Sequence, residues 1–131
     1  RITDCQFKST FAQGDGVGSG YKGVDAESSG IYTAKHITFD HCTFTGLHYA
    51  FSTDFDVESV NFQNCNFDIL HKGIKLGEST DGSTAGQANG PRFVRVIGSQ
   101  FDNIDLEAVH IYDNGSPKGN TFAFNSFKDI Y

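Results

Sequence analysis

The stretch SVNFQNCNFDIL (residues 59–70) recurs in altered form along the chain. Its counterparts are HITFDHCTFTGL (residues 36–47), FVRVIGSQFDNI (residues 93–104) and GNTFAFNSFKDI (residues 119–130), and the opening RITDCQFKST fits the same frame. Three aligned columns result: Ile2, Phe39, Phe62, Val96 and Phe122; Cys5, Cys42, Cys65, Ser99 and Asn125; and Phe7, Phe44, Phe67, Phe101 and Phe127. Agreement in three columns over five rows indicates a repeat fold.

Each row reads as short strands. Apolar and polar residues alternate within it, which is the period of a β-strand. The two-residue corners between the first two strands are Asp40-His41, Gln63-Asn64, Ile97-Gly98 and Ala123-Phe124. A third alternating stretch follows at residues 30–33, 50–53, 73–76 and 108–111. Three short strands per row, stacked row upon row, predict a single-stranded parallel β-helix of about five coils.

The spacing of the phenylalanine column indicates where loops interrupt the coils. Successive phenylalanines are 37, 23, 34 and 26 residues apart, and the shortest spacing is taken as the basic coil. The excess predicts loop excursions at about residues 11–29 and 77–91, rich in glycine and serine. The three cysteines share one column, and their odd number and parallel arrangement favour buried reduced thiols over a disulfide or a metal site.

Length and charge exclude several classes of protein. The 131 residues suffice for one domain, here residues 1–131, and 16 acidic against 10 basic residues give a net charge of −6. No basic stripe suggests nucleic-acid binding, and no apolar run is long enough for membrane insertion. The first row starts inside a strand and the last stops early, so we expect a fragment truncated at both ends. Missing chain or other subunits would cover those ends.

The rows resemble the right-handed parallel β-helix (pectin-lyase-like) superfamily over essentially the whole chain. The resemblance rests on the pattern [IV]-x-[FI]-x-x-[CSN]-x-F followed by [GA]-[IVF]-x-[LIT], and it implies a right-handed helix. Residues 92–127 resemble the loop-bearing rows of phage tail-spike and other virion β-helix proteins. That likeness implies a virion or extracellular location, a homotrimer as one form of assembly, and a face that presents structure and contacts polysaccharide.

In this superfamily the face formed by the third strand of each row commonly carries the substrate groove. The outward positions on it are Tyr32, Ser52, Lys75 and His110, followed by Asp54, Tyr112 and Asp113. We expect Tyr32, Ser52, Asp54 and Asp113 to bind polysaccharide. If the face is catalytic, Lys75 would keep the neighbouring His110 neutral as a base, and Tyr32 or Tyr112 would donate a proton. No cofactor is expected, although an aspartate of this set could hold a cation such as Ca²⁺.

Comparison with the enzymes of the superfamily favours binding over catalysis. The enzymes that cleave pectate need a calcium-binding carboxylate cluster and an arginine over the groove, whereas Arg1, Arg92 and Arg95 all lie off the predicted face. The sequence therefore predicts a virion-appendage or extracellular β-helix segment that presents structure and binds polysaccharide. Two alternatives are a uronate lyase or epimerase that uses the same face, and a purely structural spacer whose loops contact neighbouring subunits.

Overall fold

The computed structural model describes residues 1–9, 22–25, 34–53, 57–76, 92–111 and 119–131, and every regular element in them is a β-strand. The eleven strands are β1 (Ile2–Thr3), β2 (Gln6–Lys8), β3 (Lys22–Asp25), β4 (Ala34–Asp40), β5 (Thr43–Thr53), β6 (Val57–Gln63), β7 (Asn66–Leu76), β8 (Arg95–Ile97), β9 (Gln100–Ile111), β10 (Thr121–Ala123) and β11 (Ser126–Ile130). Among the described elements, none is a helix with the length and apolar character to cross a membrane.

The strands form two parallel sheets, and the chain alternates between them. One sheet has the order β1-β4-β6-β8-β10 and the other β11-β9-β7-β5-β2, with β3 also paired to β5. Each pass of the chain therefore adds one strand to each sheet. The prediction of three separate strands per row needs correction, because β5, β7 and β9 are 11 to 12 residues long and combine the second and third predicted strands.

The register of both sheets confirms the aligned columns. Phe44 pairs with Phe7 on one side and with Phe67 on the other, and Phe101 continues the column to Phe127. In the other sheet the pairs run Ile2 to Phe39, Phe39 to Phe62, Phe62 to Val96 and Val96 to Phe122. The repeat in the sequence is therefore the repeat of strand pairing in the structure.

Three corners per pass are marked by residues with positive φ. At the corner between the two sheets, these residues are Asp4, His41, Asn64, Gly98 and Phe124. The last four are the second residues of the four corner pairs that the sequence predicted. A second corner lies inside β5, β7, β9 and β11, at Gly46, Ile69, Asn103 and Asp129, and a third lies at His36, Ser59, Phe93 and Gly119. A left-handed residue turns the chain sharply, and glycine, asparagine and aspartate tolerate it best.

Stacked phenylalanine rings fill the space between the sheets. Phe67 stacks on Phe44 with ring centroids 5.0 Å apart and on Phe101 at 4.5 Å, while Phe39 stacks on Phe62 at 5.0 Å. Rings of the two sheets meet edge to face, as Phe44 and Phe62 do. Each of these rings except that of Phe101 is fully buried, and Phe101 is 1% exposed, so the stack is the main apolar core.

The cysteines are free, as expected, but only two of them are buried. Cys42 and Cys65 lie in the core, whereas Cys5 on the first row is exposed. Burial raises the pKa of Cys65 to about 11, so this thiol stays protonated and unreactive near neutral pH.

The first row departs from the sequence prediction. Strand β3 lies inside the predicted excursion at residues 11–29, and it takes the place beside β5 that was predicted for residues 30–33. Val24 pairs with Phe51, and Asp25 pairs with Ser52 where Tyr32 was expected. Tyr32 itself lies outside the described residues, as does the second predicted excursion at residues 77–91.

Candidate functional site

Polar side chains line the outward side of four neighbouring strand segments. We call this surface, formed by residues 22–25, 49–53, 72–76 and 107–111, the polar face. One row across it pairs Tyr49 with Lys72 and Lys72 with Glu107, and a second pairs Ser52 with Lys75 and Lys75 with His110. These positions point outward because the intervening residues are turned to the core. The inward set is Phe51, Ile74 and Val109, then Thr53, Leu76 and Ile111.

A β-bulge in β9 shapes one side of the polar face. Leu70 pairs with Ile104, but the next pair is Lys72 with Glu107, so β9 has one residue more than β7 over this interval. A bulge of this kind re-aims the side chains around it. Here Asp105 comes near His71, with 3.7 Å between Oδ2 and Nδ1, and Glu107 lies level with Lys72.

Glu107 is the centre of a charged cluster on this face. Its Oε2 lies 3.0 Å from Nζ of Lys72 and 2.7 Å from Nδ1 of His110. Burial alone would raise the pKa of Glu107, but the hydrogen bonds from Lys72 and His110 outweigh burial and hold it below its usual value. The side chain of Glu107 is therefore a carboxylate at neutral pH, with the Lys72 ammonium group and the His110 ring beside it.

The contact with Glu107 orients the imidazole of His110. When the Nδ1–H group donates a hydrogen bond to the carboxylate, Nε2 of the neutral ring is left as a hydrogen-bond acceptor. His110 has 28% of its side chain exposed, so a molecule on the polar face can reach the ring. This arrangement suits a hydrogen-bond acceptor or a base, while Lys75 on the same row supplies a positive charge.

Two further histidines lie beneath this surface. The rings of His48 and His71 have centroids 4.5 Å apart, and both residues are buried. Burial, together with the nearby His71 and Lys72, lowers the pKa of His48 and favours its neutral form. Because both rings are buried, they do not contact a large ligand, and they pack beneath the polar face.

The predicted site residues have different positions in the structure. Lys75 and His110 are neighbours on adjacent strands, as the sequence predicted, and both are partly exposed. Ser52 occupies the expected row, but only 1% of it is exposed, so its hydroxyl does not lie on the open surface. The other predicted site residues lie outside the described part of the chain: Tyr32, Asp54, Tyr112 and Asp113.

Sequence reasoning missed Glu107, Lys72, His71, Asp105 and His48. The bulge brings Glu107 and Asp105 to their partners. Two signals were available. The third stretch begins six residues after Phe44 and Phe67 but seven after Phe101, which marks the inserted residue. Tyr49, Lys72 and Glu107 each precede the small residue of the third strand, so they form a column of their own.

Within the described residues, no three His, Cys, Asp or Glu side chains are grouped so as to hold a metal ion. No family model, curated protein or solved structure matches this chain.

Proposed function

We propose that this chain is a segment of a right-handed parallel β-helix from a virion appendage or another extracellular protein, and that its polar face binds polysaccharide. The observation that carries the proposal is the row of Lys75 and His110, partly exposed on adjacent strands and flanked by the row of Tyr49, Lys72 and Glu107. Two parallel rows of polar groups on neighbouring strands give a surface across which a chain of sugars can lie.

The geometry of stacked strands suits a polymer of sugars. Parallel strands repeat at about 4.8 Å, which is close to the length of one pyranose ring along a chain. Successive rungs can therefore offer side chains to successive sugars. Lys75 supplies a charge for an acidic sugar, His110 offers Nε2 to a hydroxyl, and the partly exposed Tyr49 supplies an aromatic edge.

The β-helix assignment is supported by the strand order and the corners. Each pass of the chain adds one parallel strand to each sheet and turns at three corners with positive φ. A coil that rises by one strand spacing on each pass has this arrangement. Other subunits, in a homotrimer for example, or further chain cover the apolar ends of such a stack.

Glycan binding by matched lysine variants tests this proposal. The protein is applied to an array of capsular and uronate-containing polysaccharides, and hits are measured by isothermal titration calorimetry. We expect Lys75→Ala and His110→Ala to weaken binding, because both remove a group from the polar face. Lys35→Ala is the matched control, since Lys35 is a half-exposed lysine of the other sheet that pairs with Glu58 at 3.1 Å. Absence of binding to every glycan leaves the structural spacer as the better account.

A second function, catalysis, is favoured by one contact. The 2.7 Å approach of His110 Nδ1 to Glu107 Oε2 is the arrangement by which a carboxylate orients a catalytic imidazole. In a uronate lyase, His110 would take the C5 proton next to the sugar carboxylate held by Lys75, the C4–O bond would break as the C4=C5 double bond forms, and Tyr112 would protonate the leaving oxygen. In an epimerase, Tyr112 would instead return a proton to C5 from the opposite face. Ultraviolet absorbance detects unsaturated product and proton NMR detects epimerised sugar. Any activity must vanish in His110→Ala, and a calcium-dependent site would also lose activity on chelation.

A further inference from the structure

The third corner of each pass carries an aromatic side chain at one position where the backbone disfavours it. Phe93 has a φ of 55°, whereas the equivalent positions on the other passes hold His36, Ser59 and Gly119. Histidine and glycine tolerate the left-handed conformation, but for a bulky aromatic residue it is strained. Strain of this kind collects at binding and active sites. Phe93 is therefore a candidate for contact with a ligand.

The ring of Phe93 is held in place and still faces solvent. A Cβ placed on Gly119 would lie 2.7 Å from Cδ1 of Phe93, so the ring lies directly against this glycine. Even so, Phe93 is 51% exposed. Ser59 and Gly119, its neighbours on the adjoining passes, both belong to the described residues, so this exposure arises within the stack and not at its end. The corner therefore presents a fixed aromatic surface.

Arg95 places a positive charge beside this aromatic surface. Val94 and Val96 are fully buried, so strand alternation turns Arg95 outward, and it is exposed. Its strand, β8, lies between β6 and β10, so Arg95 also lies within the sheet and not at an edge. In the part of the chain that the structure describes, Arg95 forms no ion pair. Its guanidinium group is therefore available to an anion.

Arg92 adds a second positive charge on the other side of Phe93 in the sequence. Its Nη2 lies 3.3 Å from Oε2 of Glu58, but the same oxygen lies 3.1 Å from Nζ of Lys35. The hydrogen bond from Lys35 is the main cause of a lowered pKa at Glu58, so Glu58 is a carboxylate at neutral pH. One carboxylate thus serves two cations. This corner is locally positive, in a chain whose net charge is −6.

We propose that the surface formed by Arg92, Phe93 and Arg95, the cationic corner, binds an acidic sugar, a pyranose that carries a carboxylate. The weakly positive C–H groups of one pyranose face pack against the negative face of the Phe93 ring. Arg95 binds the carboxylate through two parallel hydrogen bonds, and Arg92 adds attraction from the other side. The cationic corner lies on a different sheet from the polar face and does not depend on it.

The neighbours of Arg95 favour a sugar over a simple inorganic anion. Asn61 of β6 and Thr121 of β10 lie level with Arg95 in the parallel register. An amide and a hydroxyl group both form hydrogen bonds with the hydroxyl groups that a pyranose carries. An inorganic anion would contact the arginines, but it has no apolar face to cover Phe93. The combination of an aromatic ring, a guanidinium group and neutral polar groups therefore fits an acidic sugar.

Nuclear magnetic resonance titration of the isotope-labelled protein locates the binding site. The probes are tetragalacturonic acid and, as its neutral counterpart, cellotetraose. We expect the acidic tetrasaccharide to shift the amide signals of residues 92–96, and cellotetraose to leave them in place. Arg95→Gln should weaken this binding about two- to fivefold, the range for one exposed ion pair. Phe93→Ala should weaken it about two- to tenfold, whereas Phe93→Tyr keeps the aromatic ring and should keep the affinity.

Two control variants match these changes. Phe124→Ala removes another exposed phenylalanine with positive φ, and Lys8→Gln removes an exposed positive charge from the other sheet. Neither should alter the affinity for the acidic tetrasaccharide. The melting temperature of each variant shows that it is folded. Equal losses of affinity in the control variants would overturn the proposal, because the attraction would then be general.

The positions of the shifted signals separate the cationic corner from the polar face. Shifts at residues 92–96 without shifts at residues 72–76 and 107–111 would support the cationic corner and count against the polar face. Shifts confined to the polar face, equal affinity for cellotetraose, or no shift at all would overturn the cationic corner. Tighter binding of adenosine monophosphate at residues 92–96 would also overturn it, because the ligand would then be a nucleotide.

Discussion

His48 and His71 lie on neighbouring strands with their ring centroids 4.5 Å apart and an angle of 38° between the ring planes. Only 5% and 6% of these residues are exposed. Lys72 and Tyr49 are their chain neighbours, and Asp105 of β9 approaches His71 at 3.7 Å. Two imidazoles buried so close together cannot both carry a proton without strong repulsion. This corner of the fold is therefore sensitive to acid.

Stability should fall as the pH drops through the range of histidine titration. The pKa of His48 is lowered in the folded protein, mainly by burial, and lies near 6.5 in an unfolded chain. As the pH falls, the unfolded chain therefore takes up the proton first, and stability is lost below about pH 6.5. Circular dichroism should show a melting temperature that decreases from pH 7 to pH 5, and His48→Gln should flatten this decrease.

Two comparisons make the pH prediction specific. Glu107 also has a lowered pKa, but its contribution to stability is lost only below its usual value of 4.5, so it does not act in this range. The exposed His36 is the control, and asparagine suits its positive φ of 56°. His36→Asn should retain the fall in melting temperature from pH 7 to pH 5. An unchanged profile in His48→Gln would show that another group titrates.

The sequence predicted the stacked register because the columns are made of large apolar residues that must meet in the core. Phe44, Phe67 and Phe101 could be aligned without a structure, and the outward row of Lys75 and His110 followed from strand alternation. The first row was misassigned because residues 22–25 and 30–33 both carry glycine followed by an apolar residue. A four-residue alternating pattern does not distinguish the two segments. Tertiary packing decides which of them pairs with β5.

The cluster around Glu107 was not predicted from the sequence, for a different reason. Its contacts depend on the extra residue in β9. The spacing of the columns shows that residue, with seven positions from Phe101 to Ala108 against six from Phe67 to Gly73, but it does not show how the bulge re-aims the side chains around it. The exposure of Ser52 was also overestimated, since alternation gives the direction of a side chain but not what covers it.

Gly73→Ala should destabilise the fold. A Cβ placed on Gly73 would lie 2.2 Å from the carbonyl oxygen of Ala108, a backbone atom that cannot move aside cheaply. We expect a loss of about 1–3 kcal/mol in the free energy of unfolding, as for other overpacked sites, measured by urea titration. Ala50→Gly, at the same level on β5, is the control and should cost no more than about 1 kcal/mol. Equal stability of Gly73→Ala and the parent protein would contradict the close approach.

Phe67→Ala should be among the most damaging changes to the core. The ring of Phe67 is fully buried between Phe44 and Phe101, with both pairs stacked to within an interplanar angle of 4°. Its removal leaves a cavity in the middle of the stack and should cost about 3–5 kcal/mol, with a smaller loss for Phe67→Leu. Phe124→Ala removes a ring that is 91% exposed and should change stability by less than about 0.5 kcal/mol. A similar loss in both alanine variants would show that the stack is not the main source of stability.

Ile69→Asn should stabilise the protein, although it removes an apolar side chain. Ile69 has a φ of 52°, a left-handed conformation that its branched Cβ disfavours, and it is 37% exposed. The equivalent corner residues in the other rows are Gly46, Asn103 and Asp129, all of which tolerate this conformation. Relief of the strain should raise the free energy of unfolding by about 1 kcal/mol.

The test of this last prediction needs an isoleucine in an ordinary strand conformation. Ile97 is partly buried in β8 and is not among the described residues with positive φ. Ile97→Asn therefore removes apolar contact and relieves no backbone strain. In urea titration, Ile97→Asn should shift the midpoint downward and Ile69→Asn should shift it upward. Downward shifts of the same size in both variants would mean that the corner at residue 69 carries no strain that asparagine can relieve.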